Sequence, residues 1–375
     1  MTHFCVAHAE TDGWANAAKA CADTLVQSGG GAADGATVGF LFATDLLAGD
    51  MGSVLTYLRE TTKVEAWIGT VGLGVCATGR EYFDTPAVVA MTARLAAEDQ
   101  FILPSITGAD GIDDAAMAAW VADKQPVFGM VHGDPRNAET PDIVASLAER
   151  TGCFLIGGLS SSRGEMPQVA GGTVDGGVSG MLLSSEVPVV TGLSQGCTPI
   201  GPVRRVDQAD GHVLMQIDGQ PALDVFKEDI GPALADNLAD VAGLIYVAVP
   251  VAGSDTGDYL VRNLIGLDEG NGLLAVTHEF AAGDGLMFCR RDAESAAEDL
   301  DRMLDSVCRR AGGPAKGAVY YSCVARGPNT FGPGECELDM IRRAIGDVPL
   351  AGFFGNGEIS HNRLYGYTGV LALFL

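Results

Sequence analysis

Apolar and polar positions alternate along the chain in patterns that predict short buried strands and amphipathic helices. Residues 12–27 carry the first clear helix pattern, with Trp14, Ala18, Cys21 and Leu25 spaced for one helical face. The chain then changes to short, continuously apolar runs that end in glycine. Such runs are typical of strands buried on both faces.

These runs recur in a fixed order of strand, helix, strand, glycine turn and strand. We predict one copy over residues 37–95, a second over 127–185 and a third over 317–375. In the third copy the helix is predicted over residues 335–345. A fourth, looser copy is predicted over residues 244–280, with residues 259–264 as its helix. The spacing exceeds 50 residues and is irregular, so the pattern indicates duplicated β-α-β-β units and no short-period solenoid.

Further elements lie between the copies. Residues 203–218 form a hairpin pattern, a helix begins after Pro221, and residues 291–310 carry a strongly amphipathic helix pattern. Short connections between the closing strands favour antiparallel neighbours. We therefore predict the α+β class, with duplicated β-α-β-β units forming mixed and antiparallel sheets layered with helices.

The net charge of the chain argues against two classes of binding partner, nucleic acids and anionic membranes. The 375 residues contain 48 acidic and 23 basic side chains, a net charge of −25. An acidic surface repels nucleic acid and anionic lipid, so neither is expected as a partner. No apolar run is long enough to span a bilayer, and the first residues lack the pattern of a signal peptide. Nine cysteines without a CxxC pair indicate reduced thiols and a cytoplasmic location.

Three motif matches lack the context that their chemistry needs. Residues 192–196 match GxSxG, but Pro199 and Pro202 disfavour the helix that a nucleophile elbow requires. The glycines of residues 72–74 are not followed by the helix of a dinucleotide site. On a strand, His3 and Cys5 would face away from His8, which is poor zinc geometry. We expect no metal and no catalytic residue among them.

Four polar, glycine-rich segments at predicted strand ends are the candidate ligand site. They lie within residues 157–163, 194–201, 322–327 and 355–358. Glycine lets a ligand approach the main chain, and hydroxyl groups supply hydrogen bonds. The candidate ligand-binding residues are Ser160, Ser161, Ser162, Arg163, Gln195, Gly196, Cys197, Cys323, Arg326, Gly327, Asn356 and Glu358.

Two charged side chains suggest the class of ligand. Arg326 could clamp a carboxylate through its planar fork, and Glu358 could accept from an ammonium group. Together they would suit a zwitterion such as an amino acid. The alternatives are ordinary turn chemistry in each segment and an ion pair between Arg326 and a neighbouring acid.

Two other functions remain open at this point. Cys323 or Cys197 could be a nucleophile if a base lay nearby, although buried structural cysteine is favoured. A single histidine could hold a haem as an axial ligand. We expect no cofactor, with haem as the alternative, and favour a binding protein over an enzyme.

The same segments carry a family resemblance. Residues 79–81, 157–162 and 194–202 carry it in the first part of the chain. Residues 217–223, 261–268 and 291–292 extend it, and it closes with residues 322–327 and 349–360. In order and density these motifs resemble those of stand-alone FIST-domain proteins.

The resemblance implies a FIST N-type domain over residues 1–219 and a FIST C-type domain over 220–375. It also implies a sensory role in signal transduction through a small ligand. Such proteins are proposed to bind amino acids, and some bacterial relatives are linked to haem and nitric oxide. A signalling protein partner would then carry the output.

Overall fold

The computed structural model of the chain describes residues 3–112, 114–251, 258–332 and 337–375. These residues form two compact units. The first contains described residues up to 194, together with 300–364 and 368–375, and the second contains 195–299 and 365–367. The predicted boundary at residue 219 concerns sequence families and stays a prediction.

Helices in the described ranges mostly match the predicted amphipathic segments. The helix predicted over 335–345 begins at Glu337, and residues 335 and 336 lie outside the described residues. The helices are α1 Trp14–Gln27, α2 Met51–Thr62, α3 Ala115–Lys124, α4 Thr140–Thr151, α5 Ala222–Ile230, α6 Pro232–Ala235, α7 Ala293–Ala311, α8 Pro328–Phe331 and α9 Glu337–Ile345.

Strands are short and numerous, as the apolar runs predict. They are β1 Phe4–Glu10, β2 Val38–Thr44, β3 Ala66–Gly72, β4 Gly74–Ala77, β5 Arg80–Phe83, β6 Ala87–Ala93, β7 Gln100–Ile106, β8 Phe128–Gly133, β9 Phe154–Leu159, β10 Gln168–Ala170, β11 Gly172–Val174, β12 Val178–Leu183, β13 Val189–Gln195, β14 Thr198–Pro199, β15 Arg204–Asp210, β16 Val213–Ile217, β17 Gln220–Pro221, β18 Ile245–Pro250, β19 Tyr259–Asp268, β20 Leu273–Val276, β21 Gly285–Arg290, β22 Gly317–Cys323, β23 Leu350–Gly355, β24 Glu358–His361, β25 Arg363–Tyr365 and β26 Thr368–Phe374.

Three six-stranded sheets of the same design build the first unit. Their strand orders are β1-β6-β2-β3-β10-β11, β7-β12-β8-β9-β24-β25 and β13-β26-β22-β23-β4-β5. Each contains a parallel pair, namely β2 with β3, β8 with β9, and β22 with β23. The closing strands β6, β12 and β26 are antiparallel to the first strand of that pair. The three predicted copies, and with them the α+β class, are confirmed.

In each copy, the hairpin after the parallel pair hydrogen-bonds to a strand of another copy and so extends that copy's sheet. Strands β4 and β5, from the first copy, complete the sheet of the third. The hairpin of the second copy, β10 and β11, pairs with β3 of the first. The hairpin of the third, beginning with β24, pairs with β9 of the second. The three sheets are therefore joined in a cycle.

The main core of the first unit contains residues from all three sheets. Other apolar clusters cover the opposite sheet faces: α1 and α2 pack on the first sheet, and α3 and α4 on the second. Strands β2, β8 and β22 are buried along their whole length, and for β2 and β8 the helices cover the face opposite the main core. This explains why these strands read as continuous apolar runs.

The second unit is a closed antiparallel barrel. Strands β18, β19, β20, β16, β15 and β21 follow one another, and β21 pairs back with β18. Leu223 and Phe226 of α5 are buried in its core. The predicted hairpin over 203–218 is confirmed as β15 and β16. The predicted fourth copy is wrong, because residues 259–264 lie in β19, where the buried Tyr259 and Val261 alternate with partly exposed residues.

Candidate functional site

Three of the four predicted segments come together at the carboxyl ends of parallel strands in the first unit. The Asn356 amide nitrogen Nδ2 donates to the carbonyl of Ser160 at 3.3 Å. The backbone N–H of Val324 donates to the carbonyl of Gly355 at 2.9 Å. Glu358 on β24 pairs with Gly158 on β9. Open α/β sheets commonly bind ligands at this edge.

The fourth segment belongs to the second unit and makes its own contacts there. Gln195 Nε2 donates to the carbonyl of Tyr259 at 2.9 Å. The Tyr259 hydroxyl donates to the carbonyl of Cys197. Cys197 is buried in one cluster with Cys289. A pocket shared by all four segments therefore stays a prediction, and Gln195, Gly196 and Cys197 are not part of the arrangement described below.

The serine hydroxyl groups after β9 are used within the protein. Ser160 Oγ lies 2.7 Å from Thr70 Oγ1. Ser161 Oγ donates to the carbonyl of Phe354 at 2.5 Å and accepts from the N–H of Leu73 at 2.8 Å. Both serines are fully buried. They join the ends of β3, β9 and β23, which gives them a clear structural role.

Ser162 and Arg163 lie nearer the surface. Ser162 Oγ accepts from the N–H of Gly164 at 2.9 Å. The Arg163 side chain is half exposed, and its Nε lies 2.7 Å from Oδ2 of Asp45. Its Nη1 lies 2.9 Å from Oδ1 of Asp84. Arg163 therefore pairs with the buried carboxylate of Asp45 and the exposed carboxylate of Asp84, and those ion pairs raise its pKa.

Arg326 is buried and has a carboxylate partner from its own chain. Its side chain is 1% exposed, and Nε and Nη2 lie 3.0 and 2.9 Å from Oε2 of Glu337. Glu337 also accepts from the Tyr320 hydroxyl at 2.8 Å and from Ser322 Oγ at 2.6 Å. The Phe331 ring centre lies 5.3 Å from the guanidinium carbon. The ion pair with a neighbouring acid, one alternative from the sequence, is therefore present.

Glu358 is buried beside this ion pair. Its Oε2 accepts from the N–H and hydroxyl of Thr368, at 3.2 and 2.7 Å. Burial raises the pKa of Glu358 to about 8, and the negative charge of Glu337 adds to the shift. The Thr368 hydrogen bonds and the positive charge of Arg326 oppose it. At neutral pH Glu358 therefore holds a proton, and the cluster is electrically neutral.

Three polar atoms of this cluster have no hydrogen-bond partner among the described residues. They are Nη1 and Nη2 of Arg326 and Oε1 of Glu358, although Nη2 lies within ion-pair distance of Glu337. A buried polar atom without a partner costs about 1–3 kcal/mol, and more when it is charged. We call Arg326, Glu337 and Glu358, with Tyr320, Ser322 and Thr368, the Arg326 cluster. Its unpartnered atoms are guanidinium donors and a carboxyl oxygen that accepts once Glu358 is ionised, so they can bind a ligand that carries both kinds of group.

Gly327 and Cys323 position Arg326. The backbone of Gly327 has a φ of +54°, and a Cβ there would lie 3.1 Å from the Phe83 ring and 3.2 Å from the Phe354 ring. Only glycine fits this turn without strain. Cys323 ends β22 and is buried. The turn of residues 323–327 thus brings the guanidinium back over the sheet.

Sequence reasoning missed the partners of Arg326 and Glu358. Glu337 opens α9, eleven residues after Arg326, and no motif marks it. Tyr320 and Ser322 are two positions apart on β22, so their side chains lie on the same face of the sheet. This twofold spacing in the sequence could have indicated that the two side chains act together. Thr368 begins β26, where it lies beside Glu358 only because the hairpin folds back.

The histidines do not form a metal site in the part of the chain that the structure describes, where no group of three ligating side chains is arranged for a metal ion. His3 Nε2 lies 3.3 Å from the Cys5 sulfur, and His8 Nδ1 lies 2.5 Å from the Tyr82 hydroxyl. No helix within the described ranges has the length and apolar character needed to cross a membrane.

Comparison with known families matches two domain models to consecutive parts of the chain. The FIST N domain model matches residues 37–220, and the FIST C domain model matches residues 222–361. The chain belongs to the FIST family. FIST domains are generally sensory, ligand-binding domains of signal transduction. The family resemblance predicted from the motifs is confirmed.

Curated relatives of this FIST protein are uncharacterised. An uncharacterized protein of Mycobacterium bovis is 29% identical over 340 residues, covering 86% of each chain. One from Mycobacterium tuberculosis is 29% identical over 347 residues, covering 89% of this chain and 88% of its own. Neither relative names a ligand.

A solved structure also matches over the full length. The crystal structure of a cyanuric acid hydrolase from A. caulinodans covers 100% of this chain and 99% of its own. Its TM-score is 0.35 and its sequence identity 10%. A likeness at this level carries no argument about the fold or the function of the FIST protein.

Proposed function

We propose that this FIST protein is a cytoplasmic sensory protein whose Arg326 cluster binds a small zwitterion such as an amino acid. The observation that carries the proposal is the set of buried polar atoms without a hydrogen-bond partner among the described residues, of which Nη1 of Arg326 and Oε1 of Glu358 also lack an ion pair. A ligand carboxylate would accept from Nη1, and a ligand ammonium group would donate to Oε1. Both atoms would then be satisfied.

A zwitterion adds no net charge to the buried cluster, whereas a simple anion or cation adds one. Arg326 and Glu337 cancel each other, and Glu358 is neutral when protonated. An incoming ammonium group would favour the ionised form of Glu358, so its proton would leave. With Glu358 ionised, the site and the bound zwitterion together hold two positive charges, on Arg326 and the ligand ammonium group, and three negative charges, on Glu337, Glu358 and the ligand carboxylate. The Thr368 hydrogen bonds to Glu358 then stabilise the one net negative charge.

Burial of the cluster supports a sensory role. The side chains of Arg326, Glu337 and Glu358 are at most 1% exposed. A ligand can reach them only if neighbouring residues move. A ligand that binds one arrangement better than another shifts the balance between them, which is how binding is passed to a signalling partner. The net charge of −25 supports a protein or small-molecule partner over nucleic acid.

The test is a thermal-shift screen of the full chain with amino acids, small carboxylates and small amines, followed by calorimetric titration of each hit. Glu358→Gln keeps the shape and neutrality of the protonated side chain but cannot become an anion. We expect it to weaken zwitterion binding at least about tenfold, since a charge-assisted hydrogen bond contributes about 1.5–3 kcal/mol. Glu165→Gln, at an exposed glutamate, is the matched control.

Two results would contradict the proposal. One is the absence of any hit among zwitterions when simple anions or amines do bind. The other is a zwitterion whose affinity is equal in wild type, Glu358→Gln and Glu165→Gln.

A further inference from the structure

The three parallel strand pairs match residue for residue. Leu41 pairs with Gly69, Val131 with Gly157, and Tyr320 with Gly352. In each pair, a Cβ added to the glycine would lie 1.7 Å from the carbonyl oxygen of its partner. The same close approach in all three copies identifies these positions as equivalent. The residues that follow on the first strands, 42, 132 and 321, are therefore also equivalent.

These equivalent residues meet in the core of the first unit. The ring centres of Phe42 and His132 are 5.7 Å apart, those of His132 and Tyr321 5.7 Å, and those of Phe42 and Tyr321 6.2 Å. The Phe353 ring lies 5.5–5.8 Å from all three. We call these four side chains the central ring cluster. Rings in such contact leave no room for a porphyrin against His132, so the haem alternative finds no support at this buried histidine.

The cluster contains polar atoms that the described residues leave without a hydrogen-bond partner. They are both ring nitrogens of His132 and the hydroxyl of Tyr321. His132 is 0% exposed and Tyr321 is 1% exposed. The equivalent position in the first copy is Phe42, so a purely hydrocarbon side chain suits this environment. Histidine and tyrosine at the other two positions therefore add polar groups where packing does not need them.

The donors and acceptors around the central ring cluster define which molecule could hydrogen-bond to these atoms. Burial lowers the pKa of His132 to about 3, so its ring is neutral and offers one donor and one acceptor. Tyr321 offers a hydroxyl that can do either. Ser179 lies opposite His132 in the β8–β12 ladder, and its Oγ donates to Gln168 Oε1 at 2.6 Å, which leaves its lone pairs able to accept. The four rings themselves carry no charge at neutral pH.

We propose that His132 and Tyr321 form a second, separate binding site, which takes a small uncharged molecule able both to donate and to accept hydrogen bonds. Water is one molecule that meets this description, and small alcohols and amides are others. A charged ligand is excluded, because the cluster offers no opposite charge to a desolvated ion. The site does not involve the Arg326 cluster and stands whether or not that cluster binds a zwitterion.

The first test is a high-resolution crystal structure of the full chain, grown with and without acetamide as the organic probe. We expect density within hydrogen-bond distance of a His132 nitrogen and the Tyr321 hydroxyl. A peak of one-atom size in both crystals identifies water as the guest. A larger density only in the acetamide crystal identifies an amide-binding site. Continuous ring packing with no such density in either crystal would overturn the proposal.

The second test measures stability by urea unfolding. If a guest is bound, Tyr321→Phe removes one of its hydrogen bonds, and the unfolding equilibrium constant should rise about fivefold. If no guest is bound, the same change removes an unpartnered hydroxyl group, and that constant should fall. Tyr57→Phe, at a partly exposed tyrosine, is the matched control. A fall in the constant for Tyr321→Phe beyond that control would also overturn the proposal.

Discussion

Replacing Glu358 with glutamine tests whether this buried carboxyl group holds a proton in the folded protein. Burial raises its pKa from 4.5 to about 8. In the unfolded chain the group is ionised above its ordinary pKa. Between these two values the folded state binds one proton more than the unfolded state, so the free energy of unfolding falls as pH rises.

The size of the effect follows from this single proton. The contribution of Glu358 to the free energy of unfolding should fall by about 1.4 kcal/mol for each pH unit within that window. Glutamine does not titrate, so this slope should be missing in Glu358→Gln. From pH 5.5 to 7.5 the wild type should lose about 2.7 kcal/mol relative to the variant.

Urea unfolding at several pH values, at constant ionic strength, measures this difference directly. Taking wild type minus variant at each pH removes the titration of all other groups that the two proteins share. Glu165→Gln, at an exposed position, should show a nearly constant difference. The reasoning is refuted if the Glu358→Gln difference is also constant over this range, because Glu358 would then be ionised in the folded state as well as in the unfolded state.

Two further predictions concern the core and the thiols. Gly157→Ala should lower the free energy of unfolding by about 3 kcal/mol or more, because its Cβ would lie 1.7 Å from a carbonyl oxygen on β8. Gly164→Ala, with open space around its Cβ, should change it by less than about 0.5 kcal/mol in the same urea assay. Iodoacetamide should label the partly exposed Cys308 before the buried Cys197 and Cys323, as read by peptide mass spectrometry. Fast labelling of either buried thiol would revive the nucleophile hypothesis.

The repeat could be predicted because each copy carries the same local sequence features, a glycine at one strand position and continuous apolar runs. Each copy needs a glycine where its second parallel strand meets a carbonyl of the first, and it needs continuous apolar runs in strands covered on both faces. Gly69, Gly157 and Gly352 meet that need in the same way. Patterns of this kind survive even where the three copies differ in most other residues.

The exchange of hairpins could not be predicted, because it depends on pairing between distant segments. Nothing local in residues 168–174 shows that they pair with β3, about one hundred residues earlier along the chain. The fourth copy failed for a different reason. Residues 259–264 are too few to separate a helical period from the twofold period of a strand. Tyr259 and Val261 are buried in alternation, as a strand requires.

The candidate site was predicted only in part. Arg326 and Glu358 could be selected because charged residues in glycine-rich turns suggest ligand contact. Their partners Glu337 and Thr368 come from elements that begin eleven and ten residues further along, and only the folded chain brings them close. Ser160 and Ser161 hydrogen-bond within the protein, as the alternative of ordinary turn chemistry predicts.

The most direct test of the central claim is the number of protons exchanged when a zwitterion identified by the screen binds. Calorimetric titration at pH 7, in two buffers with different ionisation enthalpies, measures that number. If the ligand ammonium group binds Glu358, we predict release of about one proton for each ligand bound, since the apo pKa is about 8. In Glu358→Gln this release should vanish. Binding without proton exchange, or equal release from wild type and variant, would contradict the account.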